Sequence, residues 1–155
     1  MPLHLTYRRQ FLTQLGAAVA LTHVDSSAAE VDENLIAILN DTHIGAQHPA
    51  TASIPTNLRN TVAWLLALPK RPAAVVINGD LALKDGKPGD YEHFARLIAP
   101  LREAGVPLHL TMGNHDDRAV FYDVLKSERP DSPVVESKHV GVVNLAGRTC
   151  SSSTR

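Results

Sequence analysis

Five side chains able to bind a metal or move a proton follow three short apolar runs. Asp41 and His43 follow Leu35 to Leu39, Asp80 follows Ala73 to Ile77, and Asn114 and His115 follow Leu108 to Met112. Carboxylate, imidazole and amide oxygen together suit ions such as manganese, iron or zinc. A carboxylate has two oxygens and can bridge two ions, and Asp80, after the middle run, is best placed to do so. Two ions about 4 Å apart would clamp the attacking and leaving oxygens of a phosphoryl transfer and make hydroxide available at neutral pH. His115 stands beside a ligand position without having to be a ligand; it would protonate the leaving oxygen or steady charge on the phosphoryl group. Taken singly, each motif is an ordinary turn or helix cap. The set, at three run ends, points to a site.

Such residues need a framework that brings them together. The three runs predict strands, and Leu35 to Leu39 has almost no polar position, as when both faces of a parallel sheet are covered. Residues 44–55 carry Gly45, Pro49 and Pro55 and predict a loop. Thr56 predicts the cap of a helix over 57–68, with Val62, Ala63, Leu65 and Leu66 as its apolar stripe and Pro69 as its stop. A second helix is predicted over 90–103 from Phe94, Leu97, Ile98 and Leu101, with Pro100 as a kink and Gly105 as the stop. A short helix over 118–127 and a fourth strand from Val140 to Leu145 follow. The order β-α-β-α-β predicts an α/β fold with parallel strands, whose carboxyl ends are where ligands bind.

In that placement Asp41-Thr42-His43, Gly79-Asp80 and Gly113-Asn114-His115-Asp116 resemble the first three motifs of the calcineurin-like metallophosphoesterase family. The family pattern is Asp-x-His, then Gly-Asp, then Gly-Asn-His-Asp/Glu, and it covers roughly residues 35 to 118. The separations of 39 residues from Asp41 to Asp80 and 34 from Asp80 to Asn114 suit one βα unit each. The resemblance implies a metallophosphoesterase-like layered sandwich, with only its N-terminal β-α-β-α-β half present as a partial domain over 30–146. It further implies that Asp41 and His43 bind a first ion, Asp80 bridges and Asn114 binds a second. His115 would be the catalytic histidine near the leaving group, and Asp116 an outer partner that orients this catalytic site. The implied reaction is hydrolysis of a phosphomonoester or phosphodiester by a hydroxide activated by two ions of manganese, iron or zinc.

The chain also departs from the family. Its later isolated histidine and Gly-His-x-His motif do not occur, and His139 lies too close to Asn114 to replace them. The expectation is therefore a truncated and weakly active chain, with a non-catalytic remnant that binds metal or a phosphorylated ligand as the alternative. Leu83 stands where purple acid phosphatases of the family carry tyrosine and the protein serine/threonine phosphatases carry aspartate, which disfavours both. Asp116-Asp117-Arg118 looks more like the bacterial branch that includes cyclic-nucleotide phosphodiesterases.

Composition sets the outer limits. The chain has 155 residues, 44% hydrophobic and 20% charged, with a formal net charge of −1. It can bury a core, and no overall basic field draws it to nucleic acid or acidic lipid. The expected partner is a small phosphate ester. Cys150 is the single cysteine, which excludes an internal disulfide and a Cys-rich zinc site. Arg118 could contact a phosphate oxygen or pair with Asp117. His109, inside a predicted strand, reads as a core histidine and His93 as a helix-surface one.

The two ends carry separate expectations. Tyr7-Arg8-Arg9-Gln10-Phe11-Leu12, an apolar run to Leu21, and Ser27-Ala28-Ala29 resemble a twin-arginine signal peptide over 1–29. That predicts cleavage after Ala29 and an exported, periplasmic protein with no membrane span once mature; without a signal the chain would be cytoplasmic. Residues 147–155 drop all apolar periodicity and predict an aberrant tail, shifted in reading frame, the other reading being a disordered natural tail.

Overall fold

The computed structural model describes residues 29–131, 138–145 and 148–153. The expectations for residues 1–28 lie outside that range. Three strands, β1 (Val31–Asn40), β2 (Arg71–Asn78) and β3 (Leu108–Leu110), form a parallel sheet in the order β1-β2-β3. Helix α1 (Ser53–Leu66) connects β1 to β2, and α2 (Pro88–Glu103) connects β2 to β3. The α/β class and the β-α-β-α-β order are as expected.

Crossovers of one hand in a sheet of sequential order put both helices on the same side. Leu58, Val62 and Leu65 of α1, Phe94, Ile98 and Leu101 of α2, and Val75, Ile77 and Leu110 of the sheet accordingly form one buried core. The opposite face is different. Ile38, Val76 and His109 are register partners across the three strands, and Ile38 is 64% exposed. The expectation that both faces of β1 are covered is corrected, since among the described residues only one face carries helices.

Element ends moved for identifiable reasons. Helix α1 begins at Ser53, not 57, because Pro55 sits in the first turn, where a missing N–H costs no hydrogen bond. Pro88 likewise opens α2 two residues early, and the helix runs through Pro100 to Glu103. Gly105, at φ +70, stops it as expected. Helix α3 (Arg118–Val124) is capped by the Asp117 side chain, which accepts from Val120 N–H, and a 3-10 turn (Lys126–Glu128) takes up its predicted end.

Of the tail expected over 147–155, residues 148–153 are described. The predicted fourth strand, β4 (Val140–Leu145), is present, and β5 (Arg148–Ser153) pairs antiparallel with it through six rungs, from Val140↔Ser153 to Leu145↔Arg148. A ladder is made by backbone groups, so the loss of apolar periodicity did not forbid a strand there. The origin of those residues in a frame shift is a separate matter that their pairing does not touch.

Candidate metal centre

The carboxyl ends of β1, β2 and β3 continue into three loops that are tied to one another. His43 N–H donates to the Asp80 carbonyl and Ile44 N–H to the Leu81 carbonyl, each at 2.9 Å, so the first loop runs alongside the second. Asp41, His43 and Asp80 all lie in the left-handed region, at φ +50, +44 and +42. A non-glycine residue held there costs of order 1–3 kcal/mol and persists only where its surroundings fix it. Three in one place fit a shape imposed by the site.

The result is a cluster at the loop junction. His43, Asp80 and His115 each offer one ligand atom, and these lie within 4.8 Å of one another. His43 Nε2 is 3.9 Å from Asp80 Oδ2, and the two imidazoles meet edge-on with centroids 5.2 Å apart. His115 N–H donates to Asp80 Oδ1 at 2.9 Å, which fixes the carboxylate's orientation. His115 Nδ1 lies 2.9 Å from the Lys84 carbonyl, which can only accept, so this nitrogen carries the proton and Nε2 is left for the site. Two imidazoles and a carboxylate form a donor set suited to zinc, manganese or iron. Ligand atoms 2.0–2.2 Å from zinc stand about 3–3.5 Å apart, so closing the widest separation by up to about 1.5 Å through side-chain rotation would seat an ion. The residues present fit a metal.

The other expected site residues lie around this cluster. Asp41 is not one of the three; it is exposed, its N–H donates to the Asn78 carbonyl, and it lines a cleft of about 360 Å³ between the end of β1 and α1. Asn114 is exposed in the turn after β3, beside His115. Arg118 begins α3 and is half-buried. His139, which the sequence does not assign as a ligand, is buried with Nδ1 2.8 Å from the Tyr122 hydroxyl and Nε2 2.9 Å from the Leu110 carbonyl.

Asp116 is the brace of the arrangement. Its Oδ2 accepts from Leu81 N–H at 3.1 Å and Gly113 N–H at 2.8 Å; its Oδ1 accepts from Ala82 N–H at 3.0 Å and the Tyr91 hydroxyl at 3.1 Å. One carboxylate thus joins the loops after β2 and β3 to α2. Burial first, and then the charge of Asp116, push the Tyr91 hydroxyl well above the usual tyrosine range, so it stays a donor. Gly113 is required by contact: a Cβ there would run into the carboxylate and backbone nitrogen of Asp80.

A family model, calcineurin-like phosphoesterase, matches residues 35–148. The chain belongs to this family. Among its relatives, a glycerophosphodiester phosphodiesterase of Enterobacter lignolyticus is 38% identical over 95 residues, 59% of this chain and 33% of that protein. A probable cyclic nucleotide phosphodiesterase of Rhodococcus erythropolis is 34% identical over 100 residues, 62% of this chain and 33% of that one. A cAMP/cGMP dual specificity phosphodiesterase of Mycobacterium tuberculosis is 44% identical over 61 residues, 39% and 19% of the two chains. The chain therefore spans about a third or less of the length of these curated relatives.

Sequence reasoning missed some of the parts that support this calcineurin-like site. Tyr91 falls in the helix predicted over 90–103 but drew no reading of its own, and its hydroxyl reaches Asp116, 25 positions later. The Lys84 carbonyl is backbone and leaves no mark on residue type. His93, expected on a helix surface, has Nδ1 2.9 Å from the Gly45 carbonyl and is half-buried, and the buried Asp90 accepts from Ala46 N–H at 2.7 Å. Together they fasten the loop after β1 to α2.

Proposed function

We propose that this chain carries metal-binding residues of a metal-dependent phosphodiesterase acting on a small phosphate diester. The observation that carries the reading is the convergence of His43, Asp80 and His115 within 4.8 Å at the ends of three parallel strands. Manganese, iron or zinc, as a pair, would act there as Lewis acid and make hydroxide available near neutral pH. Asp41 and His43 would hold one ion, Asn114 the other, and Asp80 both. His115, with Nδ1–H donating to the Lys84 carbonyl, would take a second proton from solvent onto Nε2 and, as imidazolium, deliver that proton to the leaving oxygen instead of acting as a metal ligand. Asp116 would keep the loops in register without touching substrate, and Arg118 would contact a phosphate oxygen. The names of the relatives favour a diester over a monoester, and the net charge of −1 favours a small substrate over nucleic acid.

Turnover by residues 1–155 alone is expected to be weak, because three histidines of the family pattern do not occur in them. The test is manganese binding by calorimetry together with hydrolysis of bis(p-nitrophenyl) phosphate, for the wild type and His43→Ala. Saturable binding that His43→Ala weakens supports the site; no manganese uptake would sink it. The gathering of only three such side chains among the described residues favours a second reading, a metal-binding remnant without catalysis. Tight binding with no turnover, even when the chain is extended beyond residue 155, would decide for it.

Two further proposals concern the ends. Residues 1–29 act as a twin-arginine export signal, and mass spectrometry of the mature N-terminus, expected at Glu30, tests this. Residues 147–155 arise from a shifted reading frame, which the nucleotide sequence read in all frames tests.

A further inference from the structure

Below the cluster three neutral side chains form a ladder that no ligand role uses. Asn78 Nδ2 donates to Asn40 Oδ1 at 3.2 Å, and Thr111 Oγ1 donates to Asn78 Oδ1 at 3.0 Å. Gly79 N–H in turn donates to Thr111 Oγ1 at 2.9 Å, so this buried hydroxyl both donates and accepts. The ladder crosses the carboxyl ends of all three strands. Asn40 and Asn78 are register partners, and Thr111 N–H adds a backbone bond to the Ile77 carbonyl at 3.0 Å. Asn40 directly precedes Asp41, Asn78 stands two residues before Asp80, and Thr111 three before Asn114.

Gly79 is the pivot. It has φ +68 and is followed by Asp80 at φ +42, two successive left-handed residues where the chain leaves the sheet. Glycine adopts that region freely, but the left-handed Asp80 persists only where its surroundings hold it. The Asp80 carbonyl is held by His43 N–H and the Asp80 carboxylate by His115 N–H, while the N–H that opens the turn is held by Thr111. We propose that Thr111 is a positioning residue: its hydroxyl fixes the Gly79 peptide and thereby aims the Asp80 carboxylate between His43 and His115. The consequence for metal uptake rests on the metal-site reading given above. The consequence for the turn does not.

Two substitutions in the full chain separate the possibilities. Thr111→Val keeps the shape and removes both hydroxyl bonds; Thr111→Ser keeps the hydroxyl. In metal-free protein, amide exchange followed by NMR should show Gly79 opening about tenfold faster in Thr111→Val, the factor expected for one lost hydrogen bond. Exchange at Ile98, in the core, serves as the reference, so that a general loss of stability is divided out. Thr111→Ser should match the wild type. With cobalt(II) as the probe, Thr111→Val should bind about 10–100-fold more weakly, with a changed visible spectrum, and Thr111→Ser should restore both. Unchanged Gly79 exchange relative to Ile98 in Thr111→Val, or a Thr111→Ser that behaves like Thr111→Val, overturns the proposal. A wild type that takes up no cobalt defeats the metal reading instead, and the exchange measurement still decides the role of Thr111.

Discussion

Replacing Asp116 by asparagine changes one oxygen into an NH2 group and almost nothing in size. The best amide orientation keeps oxygen where Oδ2 accepts from Leu81 and Gly113 N–H. The NH2 then takes the place of Oδ1. It can donate to the Tyr91 oxygen, whose own proton turns to the Asp117 carbonyl, 3.4 Å away. Ala82 N–H is left facing an NH2 group, and Ala82 is fully buried. An orphaned buried donor costs about 1–3 kcal/mol, and the change of two charge-assisted bonds to neutral ones about 1 kcal/mol more. Asp116→Asn should therefore lose about 2–4 kcal/mol in urea unfolding at unchanged m. Asp116→Ala orphans all three backbone donors and should lose at least about 1 kcal/mol more, unless water enters to replace the carboxylate. A loss below about 0.5 kcal/mol for Asp116→Asn would refute the brace.

Further outcomes follow from the same geometry. On the two-ion reading proposed above, Asp80→Ala should abolish metal uptake, whereas Asn114→Ala should retain one ion; the ratio of metal to protein after gel filtration reads this, and Asp80→Ala with two ions would remove the bridging role. Gly113→Ala should destabilise by about 1–3 kcal/mol through overpacking against Asp80, measured by denaturant unfolding. Tyr91 has a folded-state pKa raised by burial and by Asp116, so its contribution is complete below the unfolded value of about 10 and is lost as pH rises toward the folded one. Stability should fall above about pH 10 with a slope that Tyr91→Phe reduces, and equal slopes in both proteins would contradict it.

The strands and the residues at their ends were legible because an apolar run followed within three residues by a carboxylate or imidazole states both facts at once, as Ile77 before Asn78-Gly79-Asp80 does. What holds those residues in place was not. Asp116 was expected to orient the site, but the groups it binds could not be read, since three of its four donors are Leu81, Ala82 and Gly113 backbone groups. The left-handed conformations of Asp41, His43 and Asp80 are likewise invisible, because only glycine advertises that region. The open face behind Ile38 escaped for another reason. An apolar run does not say whether its second face is covered, and that depends on which side the crossovers take.

The strand order β1-β2-β3 has a kinetic consequence. Pairing Ile36 with Ala74 closes 38 residues, and pairing Val75 with Leu108 closes 33. The entropic difference between two such closures is only about 0.1 kcal/mol, so neither step holds back the other. Each unit brings its own helix to the same growing core, so the sheet can be laid down from β1 onward as the chain leaves the ribosome. The three polar ends then meet as the last strand docks, and Asp116, carried just beyond β3, closes the assembly behind it.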